Sequence, residues 1–285
     1  MPAKLTLAAM AFLLVAPEAP KQSHATAPAP DAARRLAAIE RASGGRLGVA
    51  LVDARGRTLF ARRQNERFAM CSTFKLPLAA FFADGREART MLPFTRADVL
   101  PNSPYSDAVA AAGGMTVDAA AEHAVADSDN TAANLLLRRL GGPEEYTRRV
   151  RAWGDNVTRL DRHETALNEN VRGDLRDSTS PAAMAGTARR LVMGNLLEPA
   201  ARDRLRSWLV ASRTGLHRIR AGLPAGWTLG HKTGTCGNAV NDVAFFRTPR
   251  GNEYVLAVYL DRPAHDARGE AAIADVARLA ARVVR

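Results

Sequence analysis

The chain is expected to adopt an α+β fold: a five-stranded antiparallel sheet assembled from both termini, flanked by helices and interrupted by a long helical insertion. Three observations predict it. Strand-like patterns are confined to residues 47–62 and to the stretch after Gly226. Between about Phe68 and Ser212 the apolar spacing is helical instead. Strands and helices also come in separate runs, without the strand–helix alternation that builds a parallel sheet.

At the start, Lys4 is followed by the apolar run Leu5–Ala16, too short to span a bilayer, and by a small-residue exit at Ser23-His24-Ala25. Residues 1–25 are therefore expected to be a secretory leader removed near Ala25, with a Pro-rich linker from Thr26 to Pro30. An Ala/Arg-rich helix over Asp31–Ser43 comes next, then strands over Leu47–Asp53 and Arg57–Arg62 joined by Ala54-Arg55-Gly56. Within the insertion, one helix spans Asn130–Leu140 and stops at Gly141-Gly142, Pro143 suits the first turn of the next, and Ser180-Pro181 opens another. Strands return at Thr228–Lys232, Asp242–Thr248 and Glu253–Leu260. A last helix, Ala267–Val284, places Ile273, Val276, Leu279 and Val283 on one face. The expected division is an α/β domain from 26–65 and 213–285, and a helical domain over 66–212.

About 260 residues after the leader suffice for a full core. The formal charge of +11 raises the question of a nucleic-acid partner. The arginines are scattered, however, and no basic stripe is interleaved with aromatics, so no nucleic acid is expected. No second apolar run reaches membrane-spanning length, so no membrane anchor is expected once the leader is removed. The cysteines, Cys71 and Cys236, are even in number and compatible with a disulfide in an exported protein, but their separation alone does not say that they meet.

Four segments carry chemistry. In Ser72-Thr73-Phe74-Lys75 a hydroxyl and an amine lie one helical turn apart, so Lys75 can serve as base to the nucleophile Ser72 if burial lowers its pKa. A helix N-terminus at Ser72 would present free N–H groups to an oxyanion. Ser128-Asp129-Asn130 supplies a proton carrier, a capping carboxylate and an amide for a substrate carbonyl. Glu164 with Asn168 can hold a water. Lys232-Thr233-Gly234 offers a cation, a hydroxyl and a glycine that permits close approach of a ligand. His163, His217 and His231 lack metal-ligand spacing, and neither metal nor cofactor is expected.

In this order the four segments resemble the class A serine β-lactamases. The likeness covers nearly all of the chain after the leader, including Asp161–Asn168, Arg176–Pro181 and Gly114–Val117. It implies the serine β-lactamase/DD-peptidase-like fold and hydrolysis of β-lactam antibiotics through an acyl-enzyme by a periplasmic or secreted monomer. Carried over by position, Ser72 is the acylated nucleophile, Lys75 its neighbouring base, and Ser128 the donor to the β-lactam nitrogen. Glu164 and Asn168 hold the deacylating water, and the N–H groups of Ser72 and Thr235 form the oxyanion hole. Whether Lys75 or Glu164 takes the Ser72 proton stays open. Asn130, Lys232, Thr233, Thr235, Tyr105, Thr214 and Arg218 fall at substrate-binding positions, the last two against a carboxylate.

The resemblance also implies an Ω-shaped loop over about 162–177 whose neck is closed by Arg162 and Asp177. The chain has Thr165 where many members have proline, and a cis Glu164–Thr165 bond is expected by analogy. With the first and last motifs on one cleft, Cys71 and Cys236 are expected to be disulfide-bonded. This pair, with Thr235 and Arg218, resembles the class A carbapenemases, although the connection Gly237–Asn241 is shorter than is typical there. The competing readings are a DD-peptidase-like enzyme and a non-catalytic β-lactam sensor. Neither accounts for the Glu164–Asn168 pair, which converts a trapped adduct into turnover.

Overall fold

The computed structural model describes residues 30–285, so the leader expected over residues 1–25 lies outside it. Helix α1 (Pro30–Ser43) carries Asp31 in its first turn and Arg41 in its last, charges that suit the helix dipole. Strands β1 (Arg46–Asp53) and β2 (Thr58–Arg62) follow, then the two-residue strand β3 (Phe68–Ala69) and a 3-10 turn over Cys71–Phe74 that runs into α2 (Lys75–Ala80). The insertion continues through β4 (Met91–Pro93), α3 (Pro104–Val109), β5 (Gly114–Thr116), α4 (Val117–Ala126), α5 (Asn130–Leu140) and α6 (Pro143–Ala152). Beyond the loop lie β6 (Ser178–Thr179), α7 (Pro181–Val192), α8 (Pro199–Val210) and α9 (Ile219–Gly222). Strands β7 (Thr228–Cys236), β8 (Ala239–Arg247) and β9 (Glu253–Asp261) precede the last helix, α10 (Asp266–Val283).

The five-stranded antiparallel sheet has the order β2-β1-β9-β8-β7, so the N- and C-terminal segments meet at β1 and β9, with Val49 opposite Val258. Alternation along the strands divides two cores. Leu47, Val49, Leu51, Phe246 and Val258 face α1 and α10, where Leu36, Ile273 and Val276 are buried. Ala50, Val52, Val243, Phe245 and Ala257 face the other way, against α7 and the helical insertion. The strands are covered on both faces, which is why they read as nearly continuous apolar runs.

Several boundaries differ from those expected. β7 extends four residues beyond Lys232 and β8 begins three before Asp242, the two joined by a two-residue turn at Gly237-Asn238. Beyond Lys232, β7 lacks apolar alternation because Thr233, Gly234 and Thr235 run alongside the nucleophile turn. The insertion also holds two small ladders, β3 with β6 and β4 with β5, too short to register as a period. The 3-10 turn over Cys71–Phe74 replaces a regular helix start at Ser72. Val283, expected on the buried face of α10, is 44 % exposed in that helix's last turn. Helix α5 ends where the glycines predicted: Gly141 is left-handed at φ 109°, and its N–H returns to Leu137 and Arg138.

Candidate active site

The nucleophile segment lies beside the sheet's edge strand, β7. Gly234 makes this possible: a Cβ there would lie 2.7 Å from the Met70 carbonyl oxygen and 3.2 Å from Cys71 Cβ. This glycine therefore permits close approach between two backbone segments of the protein. Cys71 and Cys236 are disulfide-bonded across the same junction, with Cα atoms 5.5 Å apart. Asn241 on β8 adds amide hydrogen bonds to the carbonyls of Ala69 (3.0 Å) and Met70 (3.3 Å). Cys71 takes a left-handed φ of 46°, which turns the chain into the 3-10 turn that presents Ser72.

Across the cleft, Asp129 caps α5 by accepting from Ala132 N–H, and it also takes the N–H and hydroxyl of Ser106. This buried carboxylate anchors the turn in which Ser128 has φ 61°. Lys75 Nζ donates to Ser128 O (2.8 Å) and Asn130 Oδ1 (2.5 Å), and lies 3.0 Å from Glu164 Oε1. Those three partners match the three donors of an ammonium. Ser72 Oγ donates to the same Glu164 oxygen at 3.4 Å. Glu164 Oε2 accepts from Asn168 Nδ2 at 2.7 Å. Lys232 Nζ donates to Ser128 Oγ (3.0 Å), and Thr233 Oγ1 lies 2.7 Å from Thr214 Oγ1.

Both lysines are fully buried. Burial pulls the Lys75 pKa below the usual lysine range, and the adjacent Glu164 carboxylate offsets only part of that. Lys232 is pulled well below it, again by burial first and then by the nearby Lys75 charge. Lowered lysine pKa values next to a serine hydroxyl are what proton relay at neutral pH requires.

Glu164 is held through its backbone. Asn134, one turn beyond Asn130 on α5, donates to Glu164 O at 2.8 Å and accepts from Glu164 N–H at 3.0 Å. The Glu164–Thr165 peptide bond is cis. Arg162 Nε donates to Asp177 Oδ2 at 2.6 Å, while Asp177 Oδ1 accepts from the N–H groups of Asp161 and Arg162, so the loop's two ends are tied together.

A model of the beta-lactamase enzyme family matches residues 31–284 of this chain. The chain belongs to the class A β-lactamase family. It is 42 % identical over 251 residues to β-lactamase AST-1 of Nocardia asteroides, covering 84 % of this chain and 79 % of that one. Against β-lactamase L2 of Stenotrophomonas maltophilia it is 41 % identical over 261 residues, covering 89 % and 86 %. Among solved structures, an ancestral (GNCA) class A β-lactamase superposes with a TM-score of 0.85 at 47 % identity, covering 88 % of this chain and 99 % of that one. The chain is accordingly a serine β-lactamase, an enzyme that hydrolyses β-lactams.

In this β-lactamase Tyr105 is half-buried and stacks on His123, ring centroids 3.5 Å apart, and His123 in turn pairs with Asp127. Thr235 is exposed at the cleft. Arg218 is buried beneath it, as taken up in the Discussion. Among the described residues no three His, Cys, Asp or Glu side chains converge as a metal-ligand set, and no helix is long and apolar enough to cross a membrane. Sequence reasoning missed Asn134 and Asn241. The spacing Asn130 to Asn134, i and i+4 on one helix face, was the available signal for the first. None was available for the second.

Proposed function

We propose that the enzyme opens β-lactams by serine acylation and a Glu164-driven hydrolysis, on the observation that Glu164 alone touches Ser72, Lys75 and Asn168 together. Lys75 Nζ is turned to Ser128 O, Asn130 Oδ1 and Glu164 Oε1, and the acceptor in direct reach of the Ser72 proton is Glu164. Ser72 Oγ attacks the lactam carbonyl as Glu164 takes its proton. The developing oxyanion is received by the N–H groups of Ser72 and of Thr235 on the edge strand. As the C–N bond breaks, Ser128 gives its proton to the nitrogen and is resupplied through Lys232 or Lys75. The proton that Glu164 took from Ser72 passes to Lys75 to make good that loss, which restores the Glu164 carboxylate. Glu164 then deprotonates a water that attacks the acyl ester, and Ser72 departs with a proton. The buried Asn168 Oδ1 has no protein partner, which leaves an acceptor for that water beside the carboxylate.

Substrate recognition follows the same surface. Asn130 would orient the side-chain amide of the substrate. Thr233, Thr235 and Thr214, backed by Lys232 and Arg218, would receive its carboxylate, and Tyr105 would wall the cleft mouth. We place the enzyme outside the cytoplasm, as an exported monomer, built from an α/β unit and a helical unit that meet at this cleft. Penicillins and cephalosporins are the substrates. Carbapenems are included because the Cys71–Cys236 bond and Arg218–Thr235 contact brace the β7 rim as in the carbapenemases it resembles.

Sustained turnover of nitrocefin by the purified enzyme tests the reading against a DD-peptidase or a sensor. Colour release that stops after one equivalent would overturn it. Ser72→Ala is expected to abolish acylation. Glu164→Ala is expected to acylate slowly, because buried Lys75 without its carboxylate gives up its proton more readily, and to accumulate adduct visible by intact mass. Rapid turnover by Glu164→Ala removes the role assigned to that residue. An imipenem kcat no higher than that of an ordinary penicillinase removes carbapenems from the list.

A further inference from the structure

Behind the loop that carries Glu164 lies a concavity of about 240 Å3, not lined by Ser72, Lys75, Ser128, Glu164 or Lys232 and bounded by residues 170–175 on one side and by Arg67–Ala69 and Asp261-Arg262 on the other. Its lining is rich in guanidinium groups. Two carboxylates, Asp261 and Asp174, also reach it, and both are already engaged. Asp261 accepts from Arg262 at 3.0 Å, from Asn170 at 2.8 Å and from Arg46 at 3.4 Å, and Asp174 accepts from Arg176 at 2.7 Å.

Arg67 differs from the other arginines of this wall. It is half-buried, its side chain makes a single hydrogen bond, to Ser178 Oγ at 3.0 Å, and among the described residues no carboxylate lies within ion-pair distance of it. Arg172, on the rim opposite, is exposed and likewise has no carboxylate partner among the described residues. A half-buried cation without a counter-ion is costly unless something of opposite charge is supplied. Burial and then the positive charges of Arg159 and Arg151 disfavour the charged form of Arg67, and the more distant carboxylates of Asp155 and Asp161 offset only part of this.

We infer that this concavity is a binding site for a small tetrahedral oxyanion, phosphate or sulfate, held by the donors of Arg67 that Ser178 leaves free and by Arg172 from the rim. A planar guanidinium fork matches two oxygens of such an ion. The volume also fits: a water takes about 30 Å3, so the space admits the ion with several waters. Occupancy would join the Glu164 loop, through Arg172, to the segment leading into β3, through Arg67. The ion would thus stiffen the loop a few residues beyond Asn168 without entering the catalytic cleft. The site stands on this geometry alone, so its failure would leave the catalytic reading untouched.

The test is thermal unfolding of the intact enzyme titrated with inorganic phosphate, and separately with sulfate, at ionic strength held constant with chloride. Both are expected to raise Tm saturably by about 2–4 °C, as a ligand bound only by the native state does. Arg67→Gln is expected to abolish the response. Arg172→Gln, an exposed change that leaves the fold intact, is expected to weaken the apparent affinity about fivefold, in line with loss of one partly exposed charged hydrogen bond. Arg89→Gln, an exposed arginine elsewhere on the surface, should respond as the parent does. A Tm that does not move, one that rises without saturating, or an unchanged titration in Arg172→Gln would overturn the proposal. Calorimetric titration with phosphate gives the same comparison where a variant unfolds too early to be read by Tm.

Discussion

Arg218 is closed onto Thr235: its Nη2 donates to Thr235 Oγ1 at 2.6 Å, while Nη1 serves the carbonyls of Asn241 (2.9 Å) and Gly234 (3.2 Å) and Nε reaches Glu270 at 3.1 Å. The fork that the sequence suggested for a substrate carboxylate is thus largely taken up by the protein. In the proposed site its influence on substrate would pass through Thr235 and through the positive charge that it adds beneath the β7 rim. Arg218→Ala should raise KM for a penicillin about tenfold or more with a smaller change in kcat, an effect worth one charged hydrogen bond. Arg218→Lys should recover little of this, since a point charge cannot serve four acceptors in one plane. Steady-state kinetics on the two variants checks it; unchanged KM in both would count against the arrangement.

Asn134 holds the backbone of Glu164, the group proposed as base. Asn134→Ala removes both hydrogen bonds to the Glu164 backbone, and kcat should fall by about 10- to 100-fold, from the loss of one to two buried hydrogen bonds. If the displaced group is the hydrolytic base, as proposed, the acyl-enzyme should accumulate, which a purely structural loss would not cause. Intact-mass measurement during turnover distinguishes the two.

Gly234→Ala would push a Cβ to within 2.7 Å of the Met70 carbonyl oxygen, where no flexible side chain can give way. The nucleophile turn would have to shift by several tenths of an ångström. Misplacement on that scale is expected to cost about 100-fold in kcat/KM while the fold survives. Circular dichroism together with nitrocefin kinetics would show whether folding and activity part in this way.

Glu40 gives the enzyme an acid-sensitive brace. Burial opposes its ionisation, but hydrogen bonds from Arg63, Arg62 and the Leu47 N–H prevail and bring its carboxyl from an ordinary 4.5 down to about 2. The folded-state pKa lies below the unfolded one, so the stabilisation is fully present above about pH 4.5 and is lost as pH falls towards 2. Its size is on the order of 2–3 kcal/mol at neutral pH. Glu40→Gln should lower stability by about that amount at pH 7 and by progressively less as the pH approaches 2. Urea unfolding at a series of pH values measures the difference between parent and variant.

Much of the fold was legible because its signals are local. The apolar runs in residues 47–53 and 253–260, the stop at Gly141 and the prolines that open α6 and α7 each depend on a few neighbours in sequence. The ladders β3–β6 and β4–β5 were not legible, since two or three residues cannot show a period. The cleft end of β7 was hidden because residues that line a site need not alternate.

By itself the sequence determined the family, the inventory of reacting groups, and the order in which strands and helices follow one another. Motif spacing and periodicity are properties of neighbouring residues, and they survive in a linear string. Only the tertiary structure decided that the Ser72 hydroxyl hydrogen-bonds to Glu164, and that Asn134 holds that glutamate by its backbone. Only there does Gly234 stand against Met70 and Arg218 turn its donors inward to Thr235, Gly234 and Asn241. Each of these depends on which donor finds which acceptor when segments distant in sequence pack within a few ångströms. Hydrogen-bond competition at that range is settled by packing, and no spacing along the chain records its outcome.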